Sequence, residues 1–111
     1  MDHIEWEDFQ RVELRVGTIL RAYPNEKAIK PAYVLEVDLG EHGIRTSSAQ
    51  ITEHYAADAL TGRQVLCVCN FAPKRIAGIR SEVLVTGVYD ADGKVVLAGF
   101  DKPLPNGARL A

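Results

Sequence analysis

Apolar and polar residues alternate along several short stretches of the chain, and glycine, proline or asparagine separates these stretches. In residues 33–39 every odd-numbered position is apolar, and two of the even-numbered positions are acidic. Because side chains alternate between the two faces of a strand, this pattern predicts a strand with one buried face. Residues 13–22 alternate less regularly and contain Gly17, which indicates a bulge or a sharp bend. Residues 44–48 follow a short turn and are predicted to be the polar hairpin partner of 33–39.

The second half of the chain contains further strand patterns. Residues 64–69 form a nearly continuous apolar run, which predicts a buried strand at the centre of the domain. Residues 82–89 predict the next strand, and residues 94–98 predict its hairpin partner. The Asp-Gly pair at 92–93 is typical of the turn between them. A last edge pairing is expected at residues 109–110.

Two helical segments are expected besides the strands. Residues 52–60 predict a short helix or helical turns, with Thr52 as the N-cap and Glu53 as an acid in the first turn. The first dozen residues place apolar side chains among acids, at a spacing that suits a short amphipathic helix or turn. Such a segment stays ordered when it docks on its own domain or on a second copy of the chain.

About five principal strands, with one helix between the third and the fourth, are the layout of the oligonucleotide/oligosaccharide-binding barrel, or OB-fold. The pattern therefore predicts an all-β fold, and it leaves an SH3-like barrel or a small sandwich as alternatives. With 111 residues, 47% of them hydrophobic, the chain is expected to form a single domain over residues 1–111. No apolar run approaches the roughly 20 residues of a membrane span, and no signal-peptide pattern begins the chain. We therefore expect a cytoplasmic protein without membrane insertion.

Basic charge is concentrated in one segment. The whole chain has 13 basic and 15 acidic residues, which argues against a globally basic nucleic-acid binder. Residues 70–82, however, contain Lys74, Arg75 and Arg80 against one acid, Glu82. Because lysine and arginine contacts to phosphates supply most sequence-independent affinity for nucleic acids, this segment is a candidate site for an anionic partner.

Other chemistry has little support in the sequence. Cys67 and Cys69 lie two residues apart and are predicted to be reduced strand residues. The three histidines, His3, His42 and His54, are scattered, so neither a metal site nor a cofactor is expected. No catalytic triad or glycine-rich phosphate loop is present, and we expect a protein that is not an enzyme.

The chain contains four short motifs whose order resembles that in the structure-non-specific tRNA-binding domain family. They lie at residues 13–17, 47–51, 70–82 and 105–107. This domain occurs at the C-terminus of some methionyl-tRNA synthetases. Within the family, the run Lys30-Pro31-Ala32-Tyr33, followed by Ser48-Ala49-Gln50-Ile51-Thr52, makes the chain most similar to the CsaA-like secretion chaperones. The resemblance implies a non-enzymatic OB-fold homodimer whose terminal segments pack the two barrels together. It also implies binding of unfolded preproteins, with the export motor SecA as a possible partner, or of tRNA; the stand-alone tRNA-binding module is the alternative function.

The resemblance and the charge pattern together suggest roles for individual residues. Contacts to tRNA or peptide are expected from Lys74, Arg75, Arg80, Ser48, Gln50, Phe71 and Arg15. Residues expected to shape the basic segment are Asn70, Gly78, Ser81 and Glu82. The dimer interface is expected to include Trp6, Phe9, Pro105 and Asn106.

Four of the contact residues have a structural alternative. Arg80 could pair with Glu82, and Arg15 with Glu13 or Glu36. Gln50 could cap the following helix, and Phe71 could anchor the basic segment to the core.

Overall fold

The longest strand, β1, organises the fold. In the computed structural model, which describes residues 1–110, β1 covers Leu14–Pro24. Its first half pairs with β4 (Gln64–Val68) and its second half pairs with β2 (Tyr33–Asp38), both antiparallel. Addition of β3 (Ile44–Ala49) beyond β2 and of β7 (Leu84–Val85) beyond β4 gives a five-stranded sheet in the order β3-β2-β1-β4-β7.

The two edge strands of this sheet are brought together by residues 81 and 82. The backbone N–H of Glu82 donates to the carbonyl of Thr46 on β3 (2.7 Å), and the Thr46 N–H donates to the Glu82 carboxylate (3.2 Å). The Ser48 N–H donates to the hydroxyl of Ser81 (3.1 Å). The sheet is therefore a nearly closed, OB-like antiparallel barrel, as predicted, and not the SH3-like barrel or sandwich that the pattern also allowed.

The irregularity of β1 lies elsewhere than expected. Gly17 pairs regularly with Val65, and the register shifts between Ile19 and Arg21. The expectation of a bulge at Gly17 was therefore wrong. A Cβ atom on Gly17 would lie 2.4 Å from Cγ1 of Val37, so glycine is needed there because β2 packs closely against it inside the barrel.

Both helical segments exist, but the second is shorter than expected. Helix α1 covers Trp6–Gln10, and helix α2 covers Ala57–Leu60, between β3 and β4. The sequence predicted a short helix or helical turns over 52–60; a turn covers residues 52–54, and α2 begins only after Ala56, which is extended (φ −78°, ψ 145°) and forms the N-cap in place of Thr52. Hydrogen bonds fix Tyr55 to two strands of the fold. Its backbone carbonyl accepts from the Tyr33 hydroxyl (2.7 Å), and its side-chain hydroxyl accepts from the Leu97 N–H (2.9 Å).

The strand predicted over 82–89 is divided in two at Thr86. The N–H and the hydroxyl of Thr86 both donate to the carbonyl of Leu66, at 2.9 and 2.8 Å. Beyond this point the chain leaves β4 and forms β8 (Gly87–Tyr89), which pairs with β9 (Val95–Leu97) through the predicted turn. The last edge pairing is also confirmed, since Arg109 forms an antiparallel bridge with Arg15 on β1.

The hydrophobic core lies inside the barrel. The apolar face predicted for β2 is confirmed, because Tyr33, Leu35, Val37 and Leu39 all belong to the core cluster. The centre of β4 contributes Val65 and the buried Cys67. Both cysteines are free thiols, as predicted. No helix within residues 1–110 is long and apolar enough to span a membrane.

Candidate functional site

Most of the basic segment is a β-hairpin. Strand β5 covers Lys74–Ile76 and strand β6 covers Ile79–Ser81; the two strands and their turn are called the basic hairpin below. Both turn residues have positive φ, 47° at Ala77 and 82° at Gly78, as a two-residue type I′ turn requires. Gly78 therefore shapes the turn.

The two faces of the basic hairpin differ in chemistry. Lys74 lies opposite Ser81 and Ile76 opposite Ile79, so these pairs share one face. Lys74, Ile76 and Ser81 line recesses beside the barrel. Arg75 lies directly opposite Arg80, and this pair projects from the other face. Lys74, Arg75 and Arg80 are close in the sequence, but Lys74 lies on one face of the hairpin and the two arginines lie on the other.

Two connected recesses flank the hairpin and share Ser48, Ile76 and Leu84; together they are called the groove. The smaller recess, about 360 Å³, is also lined by Phe71, Lys74, Ser81, Glu82 and Val83. The larger, about 660 Å³, extends past Gln50 and Lys30 to Tyr89. Ser48, Gln50, Phe71 and Lys74 are therefore brought to one surface.

Two of the structural alternatives can be decided at the groove. Phe71 is 60% exposed, so it is not a core anchor and presents its ring at the rim of the smaller recess. Gln50 is exposed and does not cap a helix, since α2 begins seven residues later at Ala57.

Ser81 and Glu82 shape the site through β3, as described above, and Glu82 makes only a loose ion pair with Arg80 (3.8 Å). Asn70 acts at the other end of the segment. Its side-chain amide donates to the Arg11 carbonyl (2.6 Å) and its side-chain carbonyl accepts from the Glu13 N–H (2.9 Å). Asn70 therefore attaches the N-terminal segment to the end of β4 rather than closing a loop on itself.

Arg15 is engaged away from the groove. Its guanidinium donates to the Glu13 carboxylate (Nε, 3.0 Å) and to the carbonyl of Gly107 (2.8 Å), and its side chain is mostly buried. The hydrogen bond from Arg15 holds the pKa of the Glu13 carboxyl below its ordinary value. Arg15 lines neither recess, and the alternative that the sequence offered, pairing with Glu13, is observed.

The N-terminal helix and the C-terminal segment form a second exposed surface. The rings of Trp6 and Phe9 lie 5.3 Å apart, and together with Val12 and Leu110 they line a recess of about 370 Å³. Asn106 lies in a different environment. Its side-chain oxygen accepts a 2.6 Å hydrogen bond from the Thr18 hydroxyl within the same chain.

Two lysines near the basic hairpin were not among the expected ligand contacts. Lys30 lines the larger recess, and the Lys27 side chain packs on the hairpin turn, 3.1 Å from the position that a Cβ on Gly78 would occupy. Lys27 and Gly78 are 51 positions apart in the sequence, and no local pattern indicates this tertiary contact. Within residues 1–110 no group of three or more His, Cys, Asp or Glu side chains could hold a metal ion.

Comparison with known proteins gives consistent results. Residues 14–109 match a family model described as a tRNA binding domain. The chain is similar to the methionine–tRNA ligase of Flavobacterium johnsoniae, with 36% identity over 98% of the chain, but it spans only 15% of that relative's length. Its fold superposes on the crystal structures of the chaperone CsaA from Bacillus anthracis (44% identity, TM-score 0.93, 99% of this chain and 100% of that one) and from Picrophilus torridus (41%, 0.90, 98% and 100%).

Proposed function

Since the chain belongs to the tRNA-binding domain family and has a CsaA-like fold, we propose that it is a non-enzymatic secretion chaperone that binds extended segments of unfolded preproteins in the groove. The observation that carries this proposal is the exposure of large apolar side chains around a small apolar recess. Phe71 is 60% exposed and Leu84 50% exposed, and both line the 360 Å³ recess. Clustered apolar surface of this kind marks sites of protein or ligand binding.

The groove suits an extended polypeptide in two respects. The two recesses, which share Ser48, Ile76 and Leu84, could each accept a side chain, since alternate residues of an extended chain point in the same direction. Each recess is also lined by one cation and one acid, Lys74 with Glu82 and Lys30 with Glu53, which could pair with charged side chains of the client.

We further propose that the protein acts as a cytoplasmic homodimer. The surface formed by Trp6, Phe9, Val12 and Leu110 is exposed at all of these side chains except the half-buried Phe9, and Gln10 and Arg109 also line it. It combines the two terminal segments that the family resemblance assigns to dimerisation. A two-fold interface between two such surfaces would present two grooves to one client chain. Pro105, which is exposed, can contribute to this interface, whereas the Asn106 side chain already has its partner in Thr18.

Suppression of the aggregation of a chemically denatured client, measured by light scattering at stoichiometric dimer, tests the chaperone proposal. Phe71→Ser and Leu84→Ser should each reduce the protection several-fold. Val88→Ser is the matched control, because Val88 is 71% exposed but lines neither recess. Absence of protection by the wild type, or equal losses for Val88→Ser and Phe71→Ser, would contradict the proposal. Binding to purified SecA, measured by sedimentation, tests whether the client is delivered to that export motor.

A second function, RNA binding, is favoured by the exposed cations of the basic hairpin and by the family model that covers residues 14–109. It predicts affinity for tRNA that falls steeply with salt, because each phosphate contact releases counterions. A salt series with the wild type and with a Lys74→Ala/Arg75→Ala variant measures this. A flat salt response would contradict RNA binding without bearing on aggregation suppression.

A further inference from the structure

Arg75 and Arg80 form a cross-strand pair of like charge. The type I′ turn is closed by the Ile76–Ile79 pair, which is therefore the hydrogen-bonded pair of the ladder. Because hydrogen-bonded and non-hydrogen-bonded pairs alternate, the Arg75–Arg80 pair is of the non-hydrogen-bonded type, in which Cα atoms are only about 4.5 Å apart and side chains are closest. Two guanidinium groups consequently leave the same face of the hairpin at short separation.

This pair is poorly balanced by acids of its own chain. The nearest carboxylate, that of Glu82, lies 3.8 Å from an Arg80 nitrogen, and the Arg80 side chain is 68% exposed. Among the residues that the structure describes, Arg75 has no ion-pair partner. Like charges directly opposite one another destabilise a hairpin. A bound anion between the two guanidinium groups would remove this repulsion.

The tip of the hairpin adds a third cation. Lys27 Nζ lies 3.5 Å from the position of a Cβ on Gly78. The loop that carries Lys27 is fixed by Asn25, whose side-chain oxygen accepts from the Lys27 N–H (3.1 Å) and whose amide donates to the Ala77 carbonyl (3.4 Å). The basic hairpin and the 25–30 loop therefore form one supported basic surface.

We propose that Arg75 and Arg80, with Lys27 at the tip, form a phosphate clamp for the RNA backbone on the face of the hairpin opposite the groove. The proposal deepens the RNA-binding function and rests on it. Arginine forks bind phosphate oxygens bidentately, and every nucleotide of an RNA strand supplies one phosphate. The chain has only 7% aromatic residues, which favours recognition of phosphates over stacking of bases.

With the clamp on this face, RNA and the unfolded client would bind at different surfaces, whereas the amino-acid composition of the segment would place both at one site. Lys74 faces the groove, whereas Arg75 and Arg80 face away from it. RNA affinity should therefore depend more on Arg75 and Arg80 than on Lys74. Aggregation suppression should depend on Phe71 and Leu84 and not on the two arginines.

The test is the binding of fluorescently labelled tRNA to the full-length protein over a salt series. Arg75→Gln and Arg80→Gln should each weaken binding at least fivefold and lower the slope of log K against log salt by about one. Arg75→Lys should keep the slope but weaken binding, because lysine keeps the charge and loses the bidentate fork. Lys27→Ala should produce a smaller loss.

Arg21→Gln is the control for exposed positive charge, because the Arg21 side chain is also 68% exposed and has one acidic partner, Glu36, to which it donates a hydrogen bond at 3.3 Å. An equal loss for Arg21→Gln would show diffuse attraction and overturn the clamp. Full binding by Arg75→Gln would also overturn it while leaving RNA binding intact, whereas no tRNA binding by the wild type would overturn both. Poly-glutamate that binds as tightly as tRNA, with the same sensitivity to Arg75→Gln, would reassign the surface to acidic polypeptides.

Discussion

The side-chain amide of Asn70 donates a 2.6 Å hydrogen bond to the backbone carbonyl of Arg11, 59 residues earlier in the sequence. Asn70 also accepts from the Glu13 N–H, and the Cys69 N–H donates to the Glu13 carbonyl (2.8 Å). The next residue, Phe71, forms the rim of the smaller recess. The N-terminal segment that carries Trp6 and Phe9 is thus attached to the same short stretch of chain that positions the groove.

Asn70→Ala should loosen the N-terminal segment and weaken self-association. Each lost hydrogen bond contributes about 0.5–1.5 kcal/mol, so we expect the free energy of unfolding to fall by roughly 1–3 kcal/mol. Urea denaturation measures this, and amide hydrogen exchange locates it. Asn70→Asp keeps the acceptor for Glu13 but loses the donor to Arg11, so it should show a comparable loosening of residues 1–12. Unchanged exchange in that segment would contradict the role given to Asn70.

Gly107→Ala should be more destabilising than Gly93→Ala. Both glycines have positive φ, 88° and 79°, and share the cost of a left-handed alanine, about 1–2 kcal/mol. A Cβ on Gly107 would in addition lie 2.6 Å from the Leu39 carbonyl oxygen, whereas a Cβ on Gly93 meets nothing within 4 Å. The difference between the melting temperatures of the two variants measures the destabilisation that comes from the steric clash with Leu39. Equal melting temperatures would show that the C-terminal segment can move away from Leu39 at no cost.

Cys67 should make stability fall in alkali. Burial raises the pKa of its thiol from 9.0 to about 12, so above about pH 9 the unfolded chain releases this proton while the folded chain retains it. In this range the folded state binds more protons than the unfolded state. The free energy of unfolding therefore declines as pH rises from about 9 towards 12, by at most about 1.4 kcal/mol per pH unit. Cys67→Val should have a shallower decline. Parallel curves for the two proteins would contradict this assignment.

Arg75→Gln should stabilise the ligand-free protein at low salt. It removes a like-charge pair on the hairpin, and we expect a gain of about 0.2–1 kcal/mol that disappears as salt screens the repulsion. Arg21→Gln should have the opposite sign, because Arg21 is attracted to Glu36. Denaturant titrations at low and high salt measure both variants. A salt-independent loss of stability in Arg75→Gln would mean that Arg75 packs rather than repels.

Most strands of this barrel could be predicted from the chain, but their ends and partners could not. The odd-numbered residues of β2 are apolar because they face the core, and this periodicity is visible without a structure. The predicted strand 82–89 failed at Thr86, since its division depends on two hydrogen bonds to Leu66, which belongs to another strand. Of the helix or turns predicted over 52–60, only 57–60 is helical; a separate turn covers 52–54, and hydrogen bonds of Tyr55 to Tyr33 of β2 and Leu97 of β9 fix the chain between the two segments.

The candidate site shows the same division. Local composition was sufficient to find the basic segment, because its lysine and arginine residues are close in sequence, and the order of four motifs along the chain was sufficient to indicate the family. Tertiary structure alone decided that Arg15 is committed to Glu13 and Gly107, that Lys27 lies on the hairpin turn, and that Lys74 faces the groove. Strand register determines on which face a side chain emerges, and a shift of one residue would exchange the roles of Lys74 and Arg75. Register and long-range contacts are properties of the packed barrel, so charge counted along the chain could not separate the two faces of the hairpin.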